Sequence, residues 1–335
     1  MKRGFSPLFD DDASRLEQQH LTVSDSSERY MATVANSNTV KRLKLHWPIG
    51  HSMRYGVRLE MYLKERKYEV KYEIDLIRLA NTDENLNCFS IDRSKELFIN
   101  EMEPDLMVDQ LAHEVSNVLY PMEIVVDFEG RFSEIQNLTQ IQKRWVKLKS
   151  ELKSKYEGNI VESYFSRMEN CIFDPFLLNS AIKQQDWFLN VFFQPIYSNY
   201  NGLEAKDLHV HFPIIPFHNV AYSSKLKLLS ELSDLGMIEV LATGFIDSEI
   251  YGHELGGEYH SRYMLHPHTK QIWLSKSDWS VIQNDEIRYI KLDLFCIANN
   301  GDELDFDFVK QNSASDQRSD ANKKKESIWK KLIKM

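Results

Sequence analysis

Cysteine, glycine and proline are all scarce in this 335-residue chain. The three thiols, Cys88, Cys171 and Cys296, are odd in number, far apart and in no CxxC or other metal spacing. A disulfide framework and a cysteine metal site are therefore unsupported. Dispersed thiols fit a reducing compartment, as small buried core residues. Twelve glycines and nine prolines exclude a collagen-like or linker-like chain, and argue against a fold made of glycine-dependent turns. No run approaches the ~20 apolar residues that span a bilayer. The nearest, DWFLNVFFQPIY at 186–197, is short and interrupted by Pro195. Lys2 and Arg3 make a positive start, but no apolar segment of a secretory leader follows. A cytoplasmic location is the simplest expectation.

The sequence also lacks the GxSxG, Walker and Rossmann glycine patterns. GHELGGEYH at 252–260 has Gly257 where HExxH needs its second histidine. The many carboxylates have no spacing that marks an acid/base pair. No catalytic residue can be nominated, and no cofactor is expected. His209 and His211 form an HxH pair, as do His266 and His268. On a strand, i and i+2 share a face, so each pair could offer two imidazoles to one metal ion. No third ligand follows at a typical spacing, and Pro267 puts the second pair in a turn. Satisfied or exposed histidines are the plainer reading, with His209 and His211 the better metal candidates.

What is present is core material and acid. Apolar residues at 42% and aromatics at 12% can build a real core. The formal charge is −9, yet NKKKESIWKKLIKM at 322–335 carries six lysines and one glutamate, a net +5, so the other 321 residues sum to −14. Such a body is a poor nucleic-acid binder, because phosphate binding needs a basic surface.

Period 2 dominates both ends. From Met53 to Leu63 the odd positions read Met, Tyr, Val, Leu, Met, Leu against polar even positions. After Lys64–Lys67 the alternation resumes as Tyr68, Val70, Tyr72, Ile74 and Leu76. Two amphipathic strands and a charged turn predict an antiparallel hairpin. Strands near 41–47 and 86–92 are expected to extend it. Pro104 is expected to open a helix reaching 119, and strands follow over 122–135. Residues 137–193 read as helices: Thr139 with Gln142 as a capping box, Gly158 as a C-terminal stop, and a break near Gln184–Asp186. Alternation returns over 207–297, as in Tyr259, Ser261, Tyr263 and Leu265.

Grouped strands, then helices, then strands predict an α+β fold. Its expected form is a long antiparallel meander sheet, curved or a half-barrel, packed on a central cluster of helices. The layout resembles bacterial lipid- and lipoprotein-carrier half-barrels, an analogy of shape with no motif behind it. The expected organisation is a mobile polar arm at 1–40, a single body at 41–310, a linker at 311–322 and a basic amphipathic helix at 323–335.

Two features carry functional expectations. In the terminal helix, Ile328 and Leu332, and Trp329 and Ile333, are i, i+4 pairs flanked by Lys330, Lys331 and Lys334. A helix of ~13 residues is marginal alone, so its apolar face needs a partner. That partner is a groove on another protein, an anionic membrane surface or the chain's own acidic body. The second feature is an aromatic cluster, with Trp145, Trp187, Phe188, Phe192 and Phe193 as a candidate apolar pocket between sheet and helices. Core packing is its plainer reading. The leading expectation is a non-enzymatic accessory or adaptor protein that binds a macromolecular partner. A carrier of an apolar small molecule comes second, and an unrecognised enzyme third.

Overall fold

The computed structural model describes residues 41–297, apart from short segments at 64–65, 82–85, 201–206, 216–217, 248–249, 251–254 and 284–285. The chain divides into two compact units, Asp25–Cys296 and the two chain ends, Met1–Ser24 with Ile297–Met335. The expected arm at 1–40, linker and terminal helix lie outside the described residues.

The first unit is α+β. Its meander begins with β2 (Ser52–Leu63), β3 (Arg66–Leu79) and β4 (Asn87–Ile99), which follow β1 (Lys41–Arg42). Helix α1 (Met107–Ser116) and a 3-10 turn at Asn117–Leu119 lead to β5 (Met122–Val126) and β6 (Phe132–Ile135). Four helices come next: α2 (Leu138–Lys153), α3 (Asn159–Phe173), α4 (Pro175–Gln185) and α5 (Trp187–Phe192). After β7 (Asn199–Tyr200) the strands return as β8 (Leu208–Ile215), β9 (His218–Leu228), β10 (Ile238–Ile246), β11 (Leu255–Gly256), β12 (Glu258–Leu265), β13 (Ile272–Gln283) and β14 (Glu286–Ile297).

Twelve of these strands make one antiparallel sheet in the order β6-β5-β4-β3-β2-β14-β13-β12-β10-β9-β8, with β11 pairing β13 off that path. The first meander runs outward from β2 and the second runs inward to β14, so the two meet at the centre. The sheet does not close on itself. Instead α4 contacts β6 at one end of the strand order and β8 and β9 at the other. Asn179 on α4 accepts the Ile135 backbone N–H of β6 at 2.9 Å.

Alternation decides which face is apolar. In β2 the residues Met53, Tyr55, Val57 and Leu59 are buried on the helix side. The opposite face carries Arg54, Gly56, Arg58 and Glu60. Gly56 sits within a strand because the Phe295 ring of β14 lies over it, where a Cβ would collide.

Several local expectations are corrected. The segment 41–47 does not extend the meander: only Lys41–Arg42 is extended there, paired with Asn199–Tyr200 in a separate two-stranded sheet. Pro104 precedes α1 rather than opening it, and the Gln110 side chain donates to its carbonyl at 3.0 Å. Thr139 and Gln142 make no capping box, because α2 starts a residue before Thr139. Asn137 sits at the cap, but its amide ties α2 to β5, accepting from Glu123 N–H at 3.0 Å and donating to the Pro121 carbonyl at 2.9 Å. Gly158 does not stop α2, which ends at Lys153. With φ at +116° it turns the chain into α3. Cys88, Cys171 and Cys296 are free thiols, the first and last of them buried.

Candidate functional site

The helix-facing side of β2, β3 and β4 is mostly apolar, interrupted by Arg78 and Arg93, and is fully buried only in part. At the covered end, Tyr55, Val57, Ile74, Leu76, Phe89 and Ile91 are at most 1% exposed. The Tyr55 ring meets Phe192 of α5 edge-on at 5.0 Å, and its hydroxyl donates to the Ile272 carbonyl at 2.9 Å. Farther along the same strands burial becomes partial. Met61 on β2, Tyr68, Val70 and Tyr72 on β3, and Leu97 and Ile99 on β4 are all half-buried. Their register sets them side by side: Met61 opposite Tyr68, Leu59 opposite Val70, Val57 opposite Tyr72, then Val70 opposite Ile99 and Tyr72 opposite Leu97. A half-buried apolar shelf three strands wide therefore continues beyond the fully buried end, with α1 beside it, where His113 hydrogen-bonds the Lys95 carbonyl at 3.0 Å.

A polar recess lies where full burial stops. Asp186 begins α5 and its carboxylate accepts the Leu189 N–H at 2.8 Å. Tyr120, just before Pro121, lies close enough to the same carboxylate for its charge to raise the tyrosine hydroxyl. The Arg93 guanidinium of β4 lies 4.9 Å from the Tyr120 ring centre and 6.0 Å from that of Tyr72. Its Nη2 donates to Ser116 Oγ at 2.6 Å and Asn117 Oδ1 at 2.7 Å. Its Nε has no acceptor. Asp186, Tyr72 and Tyr120 are each half-buried, so this polar recess is partly covered. Burial pushes the Asp186 carboxyl above its ordinary value, against the opposing pull of the Leu189 N–H and the Arg93 charge. Burial and then the neighbouring Asp186 charge push both tyrosine hydroxyls up.

The far side of the same strands holds charge. Arg58 bridges to Glu69 at 2.7 Å, Lys67 to Glu60 at 3.0 Å and Lys71 to Glu69 at 3.0 Å, with Glu101 also on Lys71. Glu60, Glu69 and Lys71 are all buried. Burial alone would raise the two carboxyls, but the hydrogen bonds they accept, from Tyr62 and Lys67 for Glu60 and from Lys71 and Arg58 for Glu69, hold both below the ordinary value.

The structure separates the five aromatic candidates. Phe188, Phe192 and Phe193 touch one another, with ring centres 5.0–6.4 Å apart, and are buried against the sheet. Trp187 is half-buried and meets Trp279 of β13 at 5.0 Å. Trp145 lies in another cluster, against Phe165 of α3 at 6.1 Å. His209 and His211 sit two apart on β8, both exposed. His209 Nδ1 lies 3.5 Å from Asp247. Among the described residues no three His, Cys, Asp or Glu side chains converge as a metal site would require. Residues 328–333 lie outside the described residues. The shelf was half visible in the alternation of 53–76. The recess was not, since Tyr72, Arg93, Tyr120 and Asp186 share no spacing.

No family model and no curated protein sequence matches the chain. Among solved structures it is similar to lipovitellin, in a study of lipid–protein interactions, at 9% identity and a TM-score of 0.37, over 76% of this chain and 26% of that one. The chain thus spans about a quarter of that protein's length. It is also similar to a domain provisionally described as an outer membrane lipoprotein-sorting protein domain from Vibrio parahaemolyticus, at 6% identity and a TM-score of 0.21, over 86% of this chain and 96% of that one. At such scores neither likeness bears on what this chain does. No helix among the described residues is long and apolar enough to cross a membrane.

Proposed function

We propose that this chain is a non-enzymatic carrier of an apolar small molecule, held on the open shelf of β2, β3 and β4. One observation supports this reading above the others: a mostly apolar face of three strands passes from full burial to half-burial, and a small polar set stands at that boundary. Mostly apolar walls with few polar groups are the usual composition of a small-molecule site. Titration with the neutral fluorescent probe N-phenyl-1-naphthylamine tests it. Saturable uptake is expected. Val70→Glu combined with Ile99→Glu is expected to weaken it about tenfold or more, the equivalent of 1.4 kcal/mol, in a variant whose circular dichroism shows it folded. Lys147→Glu, on the exposed side of α2, is expected to leave it unchanged. A wild-type protein that takes up no probe would sink the carrier reading.

An adaptor role is the second reading. Met102, Leu106, Met107 and Val108 are large, exposed and consecutive in space or sequence around the start of α1, at 59–68% exposure, which is unusual for side chains with no partner. The terminal peptide, with Ile328, Trp329, Lys330, Lys331, Leu332 and Ile333, is the other contact this reading would use, toward a protein or an anionic membrane surface. Comparing the full chain with one ended at residue 311, across a salt series, tests the peptide. Equal recovery of partner protein and of phosphatidylserine vesicles would remove it from the account.

A further inference from the structure

Resting on the carrier reading, we propose that the bound molecule carries an uncharged head group that both donates and accepts hydrogen bonds, a hydroxyl or an amide, and that the recess of Asp186, Arg93, Tyr72 and Tyr120 reads it. Tyr72 belongs to both parts of the site. It stands on the shelf between Val57 and Leu97, and its ring centre lies 6.0 Å from the Arg93 guanidinium of the recess. A chain lying along β3 from Tyr72 to Tyr68 has about 13 Å of apolar floor at the usual strand rise. Its inner end then meets the recess.

The chemistry of that end follows from what the recess offers. Arg93 keeps Nε–H without an acceptor, while Nη2 is committed to Ser116 and Asn117. The Tyr72 hydroxyl has no hydrogen-bond partner among the described residues. Asp186 is an acceptor whose Oδ1 already takes the Leu189 N–H. Donors and an acceptor therefore stand together, and the inward-facing charges, Arg93 and Asp186, cancel. Asp92, next to Arg93 in β4, is exposed on the other face and acts through solvent. A carboxylate head would set a second anion beside Asp186 in a site shielded from water, and an ammonium head a second cation beside Arg93. Both are disfavoured where solvent cannot screen them. A molecule without such a head group would bind the shelf but gain nothing from the recess. A hydroxyl or amide satisfies both signs at once.

The test is displacement of N-phenyl-1-naphthylamine from the full chain by three probes with the same tail: dodecanol, dodecanoate and dodecylammonium. Dodecanol is expected to displace the dye at a concentration about tenfold lower than either ion at neutral pH. Asp186→Asn keeps the helix cap but leaves Arg93 unbalanced, and is expected to move the preference to dodecanoate. Tyr72→Phe, which removes only a hydroxyl, is expected to narrow the preference for dodecanol over the two ions severalfold, and serves if Asp186→Asn fails to fold. Three probes of equal potency, or a preference for either ion in the wild-type chain, would overturn this proposal while leaving the carrier reading intact. Absence of dye uptake would overturn both.

Discussion

The two ends of the sheet's inner face are built alike and finished differently. Toward the second meander, Phe212, Tyr222, Tyr259, Tyr263 and Trp279 make an aromatic floor with at most 1% exposure. Phe212 lies 4.9 Å from Trp279, Tyr259 stacks on Trp279 at 5.8 Å, and the Tyr263 hydroxyl donates to the Val191 carbonyl at 3.1 Å. At the far end of β2, β3 and β4 the same alternation places Met61, Tyr68, Val70, Leu97 and Ile99 under partial cover. Period 2 tells which way a side chain points. Whether anything lies over it is decided by elements a hundred residues away.

Substitutions can break or sharpen that contrast. The largest effect is expected at the closed end: Trp279→Ala should cost about 3–5 kcal/mol of unfolding free energy, read by urea denaturation. Val70→Ala at the open end should cost under about 1 kcal/mol, since most of its apolar area is only half withdrawn from water. Equal losses at the two positions would mean that the shelf is covered in solution. Gly56→Ala comes next, at about 1–3 kcal/mol from overpacking against Phe295. Pairing it with Phe295→Ala should recover part of that loss, and no recovery would argue against the ring lying over Gly56.

The smallest effects separate the recess from the charged far side by their sign with pH. Asp186 is raised in the folded chain, so its contribution is fully present below the ordinary carboxylate value near 4 and is lost as pH rises through the folded value. Glu60 and Glu69 are lowered, so theirs is present above the ordinary value and is lost as pH falls through the folded values. Urea midpoints followed across the acid range should therefore move in opposite directions for Asp186→Asn and Glu69→Gln. The first variant gains relative to wild type as pH rises, and the second loses. Parallel curves would refute the assignment of one group to each class.

Much of the fold was legible because local pattern and final structure agree. The hairpin of β2 and β3, the break before Trp187 and the strands of the second meander all follow from period and punctuation. What failed depended on distant partners. Thr139 and Gln142 fit a capping box by spacing, but α2 starts before them, beside Asn137, whose amide is taken by Glu123 and Pro121. Lys41 and Arg42 look like the edge of the meander, yet their partners are Asn199 and Tyr200. Gly158 fits a helix stop as well as a helix start, and only φ distinguishes where the chain uses it. The recess was illegible for the same reason in stronger form: its four residues come from β3, β4, the turn before β5 and the start of α5. The aromatic stretch was legible as apolar but not as three separate groupings, because helix boundaries decide which rings meet.

The meeting of β2 and β14 at the centre of the sheet has a kinetic consequence. The strand that begins the long meander is completed by the strand that ends it, and the Tyr55–Ile272 bond alone joins residues 217 apart in the chain. Sequence separations of that size make for slow folding, because the intervening chain must be ordered before the pairing rewards it. During synthesis the first meander emerges with one flank of β2 unpaired, and that flank stays so until almost the whole body has left the ribosome. The seam is the last part of the sheet that can form, and a nascent chain halted before residue 286 would lack the strand that covers its middle.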